Sequence, residues 1–553
     1  MQANRARFAA AGMLLSKLSG LVRDRVIANL FGVSALADVW GFALRAANNL
    51  QNLLGEQTLS AAFIPIYSKM LEEGREKDAG RLAGAVFGLL LAVVTALVLV
   101  CVVLAPWIVA ILTPGLLQDA RDVAAGLKEI DRYPLVVRAV RITFPMTGVL
   151  VLSAWALAIL NGHRRFFLSY LAPVVWNGAI VATLLAAAWR SGFLWMPDAA
   201  EQGLVEYWLF AGLWGALLGG LLQFLVQLPL VLKLSRGLVP SLDRDVPGVR
   251  DTLRAVGPAI AGRGVVQLGF YIDVFLSSFL SAGSPGAVRY VAGLINLVMG
   301  VFGMSVAAAE LPEMSREDVE TDLAKAGPRI AERLDRAIRQ SLFVVAPAVV
   351  GYLAFGFLVS ALLFRGGRFG GVDNWLVYLV LCVYTAGLPA STVSRMTQNA
   401  FYALRDTATP ARIAAIRLAV AAGVGAGLMV PLDRFTVADV VQLPEGTVQV
   451  LYLGALGLGI GSSLGAWVEL LLLSRALRRR VPAFRLPWGY GLGRVFLALA
   501  VAVPPLALWA ALAERSIFLQ AALVLPSYMV AYLGYAWLRR LPELDLWLGR
   551  KRQ

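Results

Sequence analysis

Ionised and amide side chains recur at helical spacing within an apolar stretch near the beginning of the chain. The residues are Asp38, Arg45, Asn49, Asn52 and Glu56. Steps of three, four and seven residues place them on one face of a helix, which turns about 100° per residue. At about 1.5 Å per residue this polar stripe would extend about 27 Å, close to the roughly 30 Å of a bilayer's hydrocarbon core. The stripe predicts one wall of a water-filled cavity that binds a charged substrate.

A second set of charges lies just upstream. Lys17 and Asp24 are seven residues apart and share a helix face, and Arg23 stands beside Asp24. An ionised side chain near the bilayer centre costs on the order of 3 kcal/mol, so it normally faces a bundle interior or an aqueous cavity. Guanidinium groups bind phosphate oxygens through paired, charge-assisted hydrogen bonds. We therefore predict that Lys17, Arg23 and Arg45 bind an anionic group, and that Asp24 and Asp38 orient these cations.

The chain contains an internal repeat. The segment RDRVIANLFGVSALADVW aligns with IDVFLSSFLSAGSPGAVRY, so that Asp24 matches Asp273. An even number of predicted spans separates the two copies, so both cross the membrane in the same direction, and the substrate is expected between the halves near the midplane. The second copy adds Arg263 and Arg289 to the predicted binding cavity. It also supplies Asp273 and Glu310 as candidates for coupling to a cation.

Two alternatives stay open for these polar residues. Side chains of this kind also pair between helices as structural contacts, which would explain the stripe without a cavity. A further cluster of Arg395, Gln398 and Asn399 either adds to the cavity or marks a helix end, since arginine near an interface commonly extends its head group into water.

Membrane-spanning helices must position these residues. Of the 553 residues 59% are hydrophobic and 15% are charged, against about 25% charged in soluble domains, which excludes a water-soluble globule. Fourteen apolar runs are long enough to cross a bilayer. They fall at 8–31, 36–63, 82–113, 134–161, 165–189, 206–233, 254–281, 286–310, 335–364, 374–403, 408–431, 447–474, 491–513 and 516–538.

The predicted fold class is therefore an all-α polytopic membrane protein with two six-helix lobes in parallel pseudo-repeat. The first lobe is expected at 1–235 and the second at 236–476, followed at 477–553 by two helices and a basic tail. Lysine and arginine concentrate in alternate connections, which the positive-inside rule assigns, together with both termini, to the cytoplasm. The net charge of +15 is thus mostly topological, and a nucleic-acid partner is not expected.

The composition provides few residues for metal binding, disulfide formation or nucleotide hydrolysis. The single histidine and two cysteines cannot build a disulfide framework or a cysteine/histidine zinc site. No G-x-x-x-x-G-K-[ST] phosphate loop occurs, and no soluble stretch is large enough for a nucleotide-hydrolysing domain. We expect a secondary-type transporter without a metal or an organic cofactor, rather than an enzyme.

Three segments carry a likeness to a known family. They read LSKLSGLVRDRVIANLFGVSALADVWGFALRAANNL, GEQTLSAAFIPIYSKMLEEG and QNAFYALRDTATPARIA. In these segments the chain resembles the MurJ (MviN) lipid II flippases of the MOP exporter superfamily, and the likeness covers nearly its whole length.

The resemblance implies translocation of lipid II, the undecaprenyl-pyrophosphate-linked peptidoglycan precursor, across a bacterial cytoplasmic membrane for cell-wall synthesis. It also implies a cycle driven by a cation gradient, of Na⁺ or H⁺, or by the membrane potential. The last two helices would then form a groove for the lipid tail. Membrane lipids and the cell-wall synthesis machinery are the other partners it suggests. The basic run at 478–485 would attract anionic lipid heads.

The family's functional residues carry over in part. Arg23 and Asp24 stand at the family's Arg-Asp pair, Lys17 stands where an arginine is usual, and Asp38 matches the acidic residue that opens the second helix. Two positions depart from the pattern. The basic residues midway along the second helix are replaced by Gln51 and Asn52, and the arginine of the eighth helix is replaced by Gly293.

Arg45, Arg263 and Arg289 could restore that positive charge from neighbouring positions. Three other functions stay open as alternatives: export of another polyprenyl-linked glycan, drug/cation antiport within the same superfamily, and a non-transporting scaffold. An antiporter would need acidic residues to dominate the cavity, and a scaffold would leave the long polar stripe unexplained.

Overall fold

The structure is a computed structural model that describes residues 2–193, 200–299, 323–443 and 448–547. Within these ranges the regular secondary structure is helical, apart from two isolated β-bridges. The residues group into two compact units. Unit 1 comprises Met1–Gly286 with Gly366–Phe369, and unit 2 comprises Ala287–Arg365 with Gly370–Gln553. The predicted lobes, which divide at 235 and 476, stay a prediction.

Unit 1 contains eleven complete described helices and the first turn of a twelfth. They are α1 (Gln2–Phe31), α2 (Ala35–Leu54), α3 (Glu56–Ala62), α4 (Ile64–Glu72), α5 (Glu76–Val103), α6 (Ala105–Leu112), α7 (Asp119–Ala124), α8 (Arg132–Gly162), α9 (Phe166–Arg190), α10 (Gln202–Leu234), α11 (Val249–Ser277) and the start of α12 (Ser284–Val298). A short 3₁₀ turn, Pro114–Gln118, joins α6 to α7.

The core of unit 1 is apolar and is built around α2, α8 and α10. Trp40, Trp155 and Trp208 are fully buried there. The indole of Trp155 donates to the carbonyl of Ala83 at 3.1 Å, which satisfies its one polar atom inside the core. This packing sets the register of α8 against its neighbours.

Three glycines on one face of α5 bring another segment of backbone against that helix. Gly80, Gly84 and Gly88 lie one turn apart, and a Cβ atom at any of them would collide with backbone carbonyl groups of the segment 236–241. The amide of Ser241 also donates to the carbonyl of Gly84 at 3.4 Å. The segment that follows α10 therefore lies in a glycine seat on α5, which only residues without a side chain can form.

Unit 2 contains the rest of α12 and eight further described helices. They are α13 (Leu323–Phe364), α14 (Gly371–Thr385), α15 (Leu388–Ala403), α16 (Ala408–Leu432), α17 (Gly454–Arg480), α18 (Trp488–Ala511), α19 (Ile517–Leu538) and α20 (Pro542–Trp547). Close approach of α16 to α17 again depends on glycine: a Cβ at Gly457 or Gly461 would collide with the backbone of α16.

The last two long helices pack on α13 through aromatic side chains with polar tips. The hydroxyl of Tyr532 donates to the carbonyl of Phe343 at 2.7 Å, and that of Tyr528 donates to Pro347 at 3.0 Å. Both acceptors lie on α13. These buried bonds fix α19 against α13 along two turns.

Nine helices of the described residues are long and apolar enough to cross a membrane, and the bent pair α14–α15 makes up to ten. The other four predicted spans coincide with α1, α2–α3, α11 and α12. The first three contain the ionised residues singled out above, and α12 is described over 15 residues. All fourteen predicted spans therefore coincide with helices, at least over their described parts.

Three of the fourteen predicted spans consist of two helices or of a bent pair of helices. In the second span, α2 ends at Gly55, whose amide donates to the carbonyl of Gln51, and α3 begins at the next residue. The third is divided at Leu104, where a proline follows in the first turn of α6. The tenth bends by 42° between α14 and α15. The polar stripe is therefore not continuous, because Glu56 begins a new helix.

Candidate functional site: a polar cluster on α1 and α9

Arg23 is the centre of a polar cluster that α1 and α9 build together within unit 1. Its Nε and Nη2 atoms donate to Oδ1 of Asp24 at 3.1 and 2.9 Å, and its Nη1 donates to Oδ1 of Asn177 at 3.0 Å. Asn177 in turn donates to the hydroxyl of Ser19 at 2.9 Å. The guanidinium also lies over the indole of Trp176, 5.3 Å from the ring centroid. Three neighbours thus hold Arg23 in place.

The cluster is half-buried and keeps binding capacity. The side chains of Arg23 and Asp24 are 20% and 21% exposed. A guanidinium has five N–H groups, and the contacts above use three of them. The other two can donate to a phosphate or carboxylate oxygen, and low polarity around the indole strengthens such a bond. An oriented, partly exposed guanidinium inside a helical bundle is suited to binding an anion.

The structure brings only part of the predicted site to this cluster. Lys17 is exposed on α1, two turns before Asp24, as its spacing predicts. Arg45 is half-buried on α2, and Asn52, near the end of the same helix, is exposed. No described contact ties Lys17 or Asn52 to Arg23. Their predicted roles in substrate binding stay predictions.

Four predicted site residues cannot be placed. The side chains of Asn49, Glu56 and Arg263 lie outside the described residues, as does the whole of Glu310. Of the other residues of the second copy, Asp273 is exposed on α11 in unit 1. Arg289 is half-buried on α12, with its guanidinium 4.3 Å from the ring centroid of Tyr290.

Asp38 occupies a different environment from the one its pattern predicts. It is 0% exposed, and its carboxylate accepts from the amides of Gly283 and Gly286 at 2.8 and 2.7 Å. Nη1 of Arg132 donates to the same carboxylate at 3.1 Å. In this conformation Asp38 ties the beginning of α2 to the connection before α12, and it does not orient Lys17, Arg23 or Arg45.

Asp119 extends this network on the other side of Arg132. Burial alone would raise the pKa of Asp119, but hydrogen bonds and charge from Arg132 and Lys128 outweigh it and hold the pKa below its ordinary value. Lys128 also contacts Asp122 at 2.7 Å. The Asp119 carboxylate is therefore ionised at neutral pH, and its contacts with Arg132 and Lys128 are ion pairs.

A third polar cluster lies within unit 2, between α15, α16 and α17. Glu469 is buried and accepts from Nη1 of Arg417 at 2.7 Å and from the amide of Gln398 at 2.9 Å. Arg395, one turn before Gln398 on α15, is exposed. Gln398 therefore contacts Glu469, while the choice between a cavity and a helix end for Arg395 and Asn399 stays a prediction.

Sequence reasoning missed Asn177, Trp176, Arg132, Asp119 and Glu469. Arg132 and Asp119 are in a predicted connection, where charge is expected and carries no signal. Glu469 and Asn177 are polar residues inside apolar runs, and that signal could have singled them out. Their partners could not be named, because contacts between distant helices have no local pattern.

Apolar spans with fixed ionised groups inside the bundle define a class: multi-pass α-helical membrane transporters, in which such groups mark the path of a substrate. Among the described residues no group of three or more His, Cys, Asp and Glu side chains could hold a metal ion.

Comparisons with known proteins narrow the class. The family model described as "Lipid II flippase MurJ" matches residues 27–533. A protein of Vibrio cholerae named "Probable lipid II flippase MurJ" is 30% identical over 84% of this chain and 80% of its own length. A "Lipid II flippase MurJ" of Burkholderia cenocepacia is 28% identical over 84% of this chain and 82% of its own length.

Two solved structures share the fold. One is described as "Lipid II flippase MurJ, inward closed conformation"; it aligns with a TM-score of 0.70 at 20% identity and covers 96% of this chain and 97% of its own. An inward-facing MATE family multidrug transporter of the MOP superfamily aligns with a TM-score of 0.59 at 15% identity, over 85% of this chain and 95% of its own. The chain belongs to the lipid II flippase MurJ family. It is a multi-pass membrane transporter rather than an enzyme.

Proposed function

We propose that this protein moves lipid II from the inner to the outer leaflet of a bacterial cytoplasmic membrane by alternating access, with both termini in the cytoplasm. Enzymes of cell-wall synthesis then use the delivered precursor. The observation that carries the proposal is the Arg23 cluster: a guanidinium that is oriented by Asp24 and Asn177, 20% exposed, and held within apolar helices. Membership in the family supports the choice of substrate.

The chemistry of the cluster suits a pyrophosphate-linked sugar. The two N–H groups of Arg23 that face no described partner would donate to phosphate oxygens, and charge-assisted bonds of this type are roughly twice as strong as neutral ones. Lys17, exposed two turns away on α1, would add a second positive charge. Asp24 fixes the plane of the guanidinium, so little rotamer entropy is lost on binding. The lipid tail would stay in the bilayer, against α18 and α19.

We propose that a gradient of Na⁺ or H⁺, or the membrane potential, drives the cycle. Asp273, exposed on α11, is the candidate among the described residues for exchange with a cation.

The test is complementation of cells depleted of their own flippase, combined with an assay of the lipid II accessible at the outer leaflet. Arg23→Ala should abolish growth and lower outer-leaflet lipid II by at least about tenfold, because it removes the charge-assisted bonds. Arg23→Lys should recover part of the lipid II transport, since lysine restores the positive charge but not the planar set of N–H donors of a guanidinium.

Arg190→Ala is the matched control, because Arg190 is exposed at the end of α9, the helix that carries Asn177. It should leave both readouts unchanged. Full growth with Arg23→Ala at normal membrane abundance would overturn the proposal. Drug or cation transport without movement of lipid II would favour the antiporter function instead.

A further inference from the structure

Arg132 is the most deeply enclosed cation among the described residues, and it joins two buried carboxylates. Its side chain is 1% exposed, and those of Asp38 and Asp119 are 0% exposed. Nε and Nη2 donate to the two oxygens of Asp119 at 2.6 and 3.1 Å, while Nη1 donates to Asp38 at 3.1 Å. The planar fork of arginine allows this double engagement, and an ammonium could not reproduce it.

The network also reaches the connection between α11 and α12. Nη2 of Arg132 donates to the carbonyl of Leu280 at 3.3 Å, and Asp38 accepts from Gly283 and Gly286. Arg132 and Asp38 therefore contact the same connection from two directions. The orientation proposed above places this connection on the outer side of the membrane.

Arg132 and Asp38 are held together independently of that connection. They begin the neighbouring helices α8 and α2, which pack along their length, and the hydroxyl of Thr143 on α8 donates to the carbonyl of Ala43 on α2 at 3.2 Å. If the start of α12 moved away, Asp38 would lose two amide donors but would keep Arg132. A buried carboxylate that keeps a charged partner can release its other bonds at a lower cost than one left alone.

We propose that Arg132, anchored by Asp119, is a positioning residue for outer closure: it holds the Asp38 carboxylate towards Gly283 and Gly286 and keeps it paired when that contact opens. The inference rests on the proposed function only for alternating access and for orientation, and not on the identity of the substrate. Arg132 touches no substrate in this role. It acts through Asp38.

The test measures access to the connection from outside. In a chain with Cys101→Ala and Cys382→Ala, Ser284→Cys provides a reporter, because Ser284 is fully buried beside the Asp38 contact. A membrane-impermeant maleimide is added to intact spheroplasts, and the rate of labelling is recorded. Arg132→Ala should raise that rate by at least about tenfold, since it leaves the buried Asp38 carboxylate without a counter-charge, while Asp119 keeps its ion pair with Lys128.

Two further variants should give smaller increases in the labelling rate. They also test the proposal if the Arg132→Ala protein fails to accumulate. Arg132→Lys should give an intermediate rate, because one ammonium cannot bond both carboxylates. Asp119→Asn should give a smaller increase, because the bond from Arg132 to Asp38 persists. Arg121→Ala, an exposed arginine on α7 in the same connection, should label like the parent.

Equal labelling of the parent, Arg132→Lys and Asp119→Asn would overturn the proposal, as would equal labelling of Arg132→Ala and Arg121→Ala. Complementation and lipid II accessibility are measured in parallel with Arg23→Ala. A loss of the proposed function would appear there, in a variant whose labelling at Ser284→Cys should match that of the parent. The two failures are therefore distinguishable.

Discussion

The side-chain amide of Asn177 helps to orient the guanidinium of Arg23. Asn177 is 5% exposed and bridges Arg23 to Ser19, so α9 orients the guanidinium as much as the adjacent Asp24 does. The sequence predicted Arg23 and Asp24 as site residues because charge in an apolar run is conspicuous. It could not predict Asn177, because the distance from Arg23 to residue 177 depends on how α1 and α9 pack.

Replacement of Asn177 tests this orientation. Asn177→Leu should reduce complementation and lower outer-leaflet lipid II severalfold while the protein stays in the membrane, because Arg23 would keep its charge and lose one of its directing bonds. Asn177→Gln should be milder, since it keeps the amide. Normal flux in Asn177→Leu would show that Asp24 alone is sufficient.

The buried Glu469 gives a stability prediction at the same scale. Arg417→Ala should destabilise the protein by roughly 2 kcal/mol, less than the 3–5 kcal/mol typical of fully buried pairs, because Arg417 is itself 36% exposed. The double variant Arg417→Ala with Glu469→Ala should recover part of the loss, because no buried charge is then left unpaired. Thermal unfolding in detergent measures both, and equal melting temperatures for the single variant and the parent would contradict the ion pair's importance.

Among the elements, α5 makes one of its contacts through residues that lack side chains. Hydropathy located this helix as the third span, although the observed helix begins at Glu76, six residues before the predicted start at 82. Hydropathy did not reveal that Gly80, Gly84 and Gly88 form a seat, because a helix with three glycines on one face is equally apolar with or without a segment against it. Hydropathy did not reveal the break at Gly55 either, because the break is a change in the backbone angles of one residue and leaves the apolar pattern unchanged.

Gly84→Ala tests the seat against a matched change elsewhere. The added methyl group would collide with the backbone of Val239, so we expect a lower melting temperature and reduced membrane abundance. Gly178→Ala, on α9, meets nothing within 4 Å and should be neutral or stabilising by up to about 1 kcal/mol through helix propensity. Equal stability of the two variants would show that the segment 236–241 can lift from α5 at no cost.

At the scale of the whole molecule, orientation follows from charge distribution. Composition and the spacing of apolar runs are enough to predict a polytopic helical protein, because burial in lipid imposes them along the entire chain. The division into two compact units at residues 286–287 was not predicted, since it depends on which helices pack together. Orientation itself depends on the basic residues of alternate connections, such as the exposed Arg478 and Arg485.

Fusion reporters test that orientation. A fluorescent protein fused after Gln553 should fluoresce, and alkaline phosphatase at the same point should be inactive, because the positive-inside rule assigns the C-terminus to the cytoplasm. Alkaline phosphatase inserted at residue 442, in the connection between α16 and α17, should be active. The reverse pattern would invert the proposed direction of transport.

The glycine seat also limits how far neighbouring helices can travel. Residues 236–241 are held on α5, and Gly248, with a φ of +88°, lies so close to α4 that a Cβ atom there would crowd Met70 and Ile66. Only residues 242–247, all exposed except the half-buried Val246, are left to act as a tether, and each can span at most about 3.6 Å when extended. The distance that α11 can move relative to α10 therefore has a fixed upper limit. A deletion within residues 242–247 would reduce this distance without changing any charged group of the site.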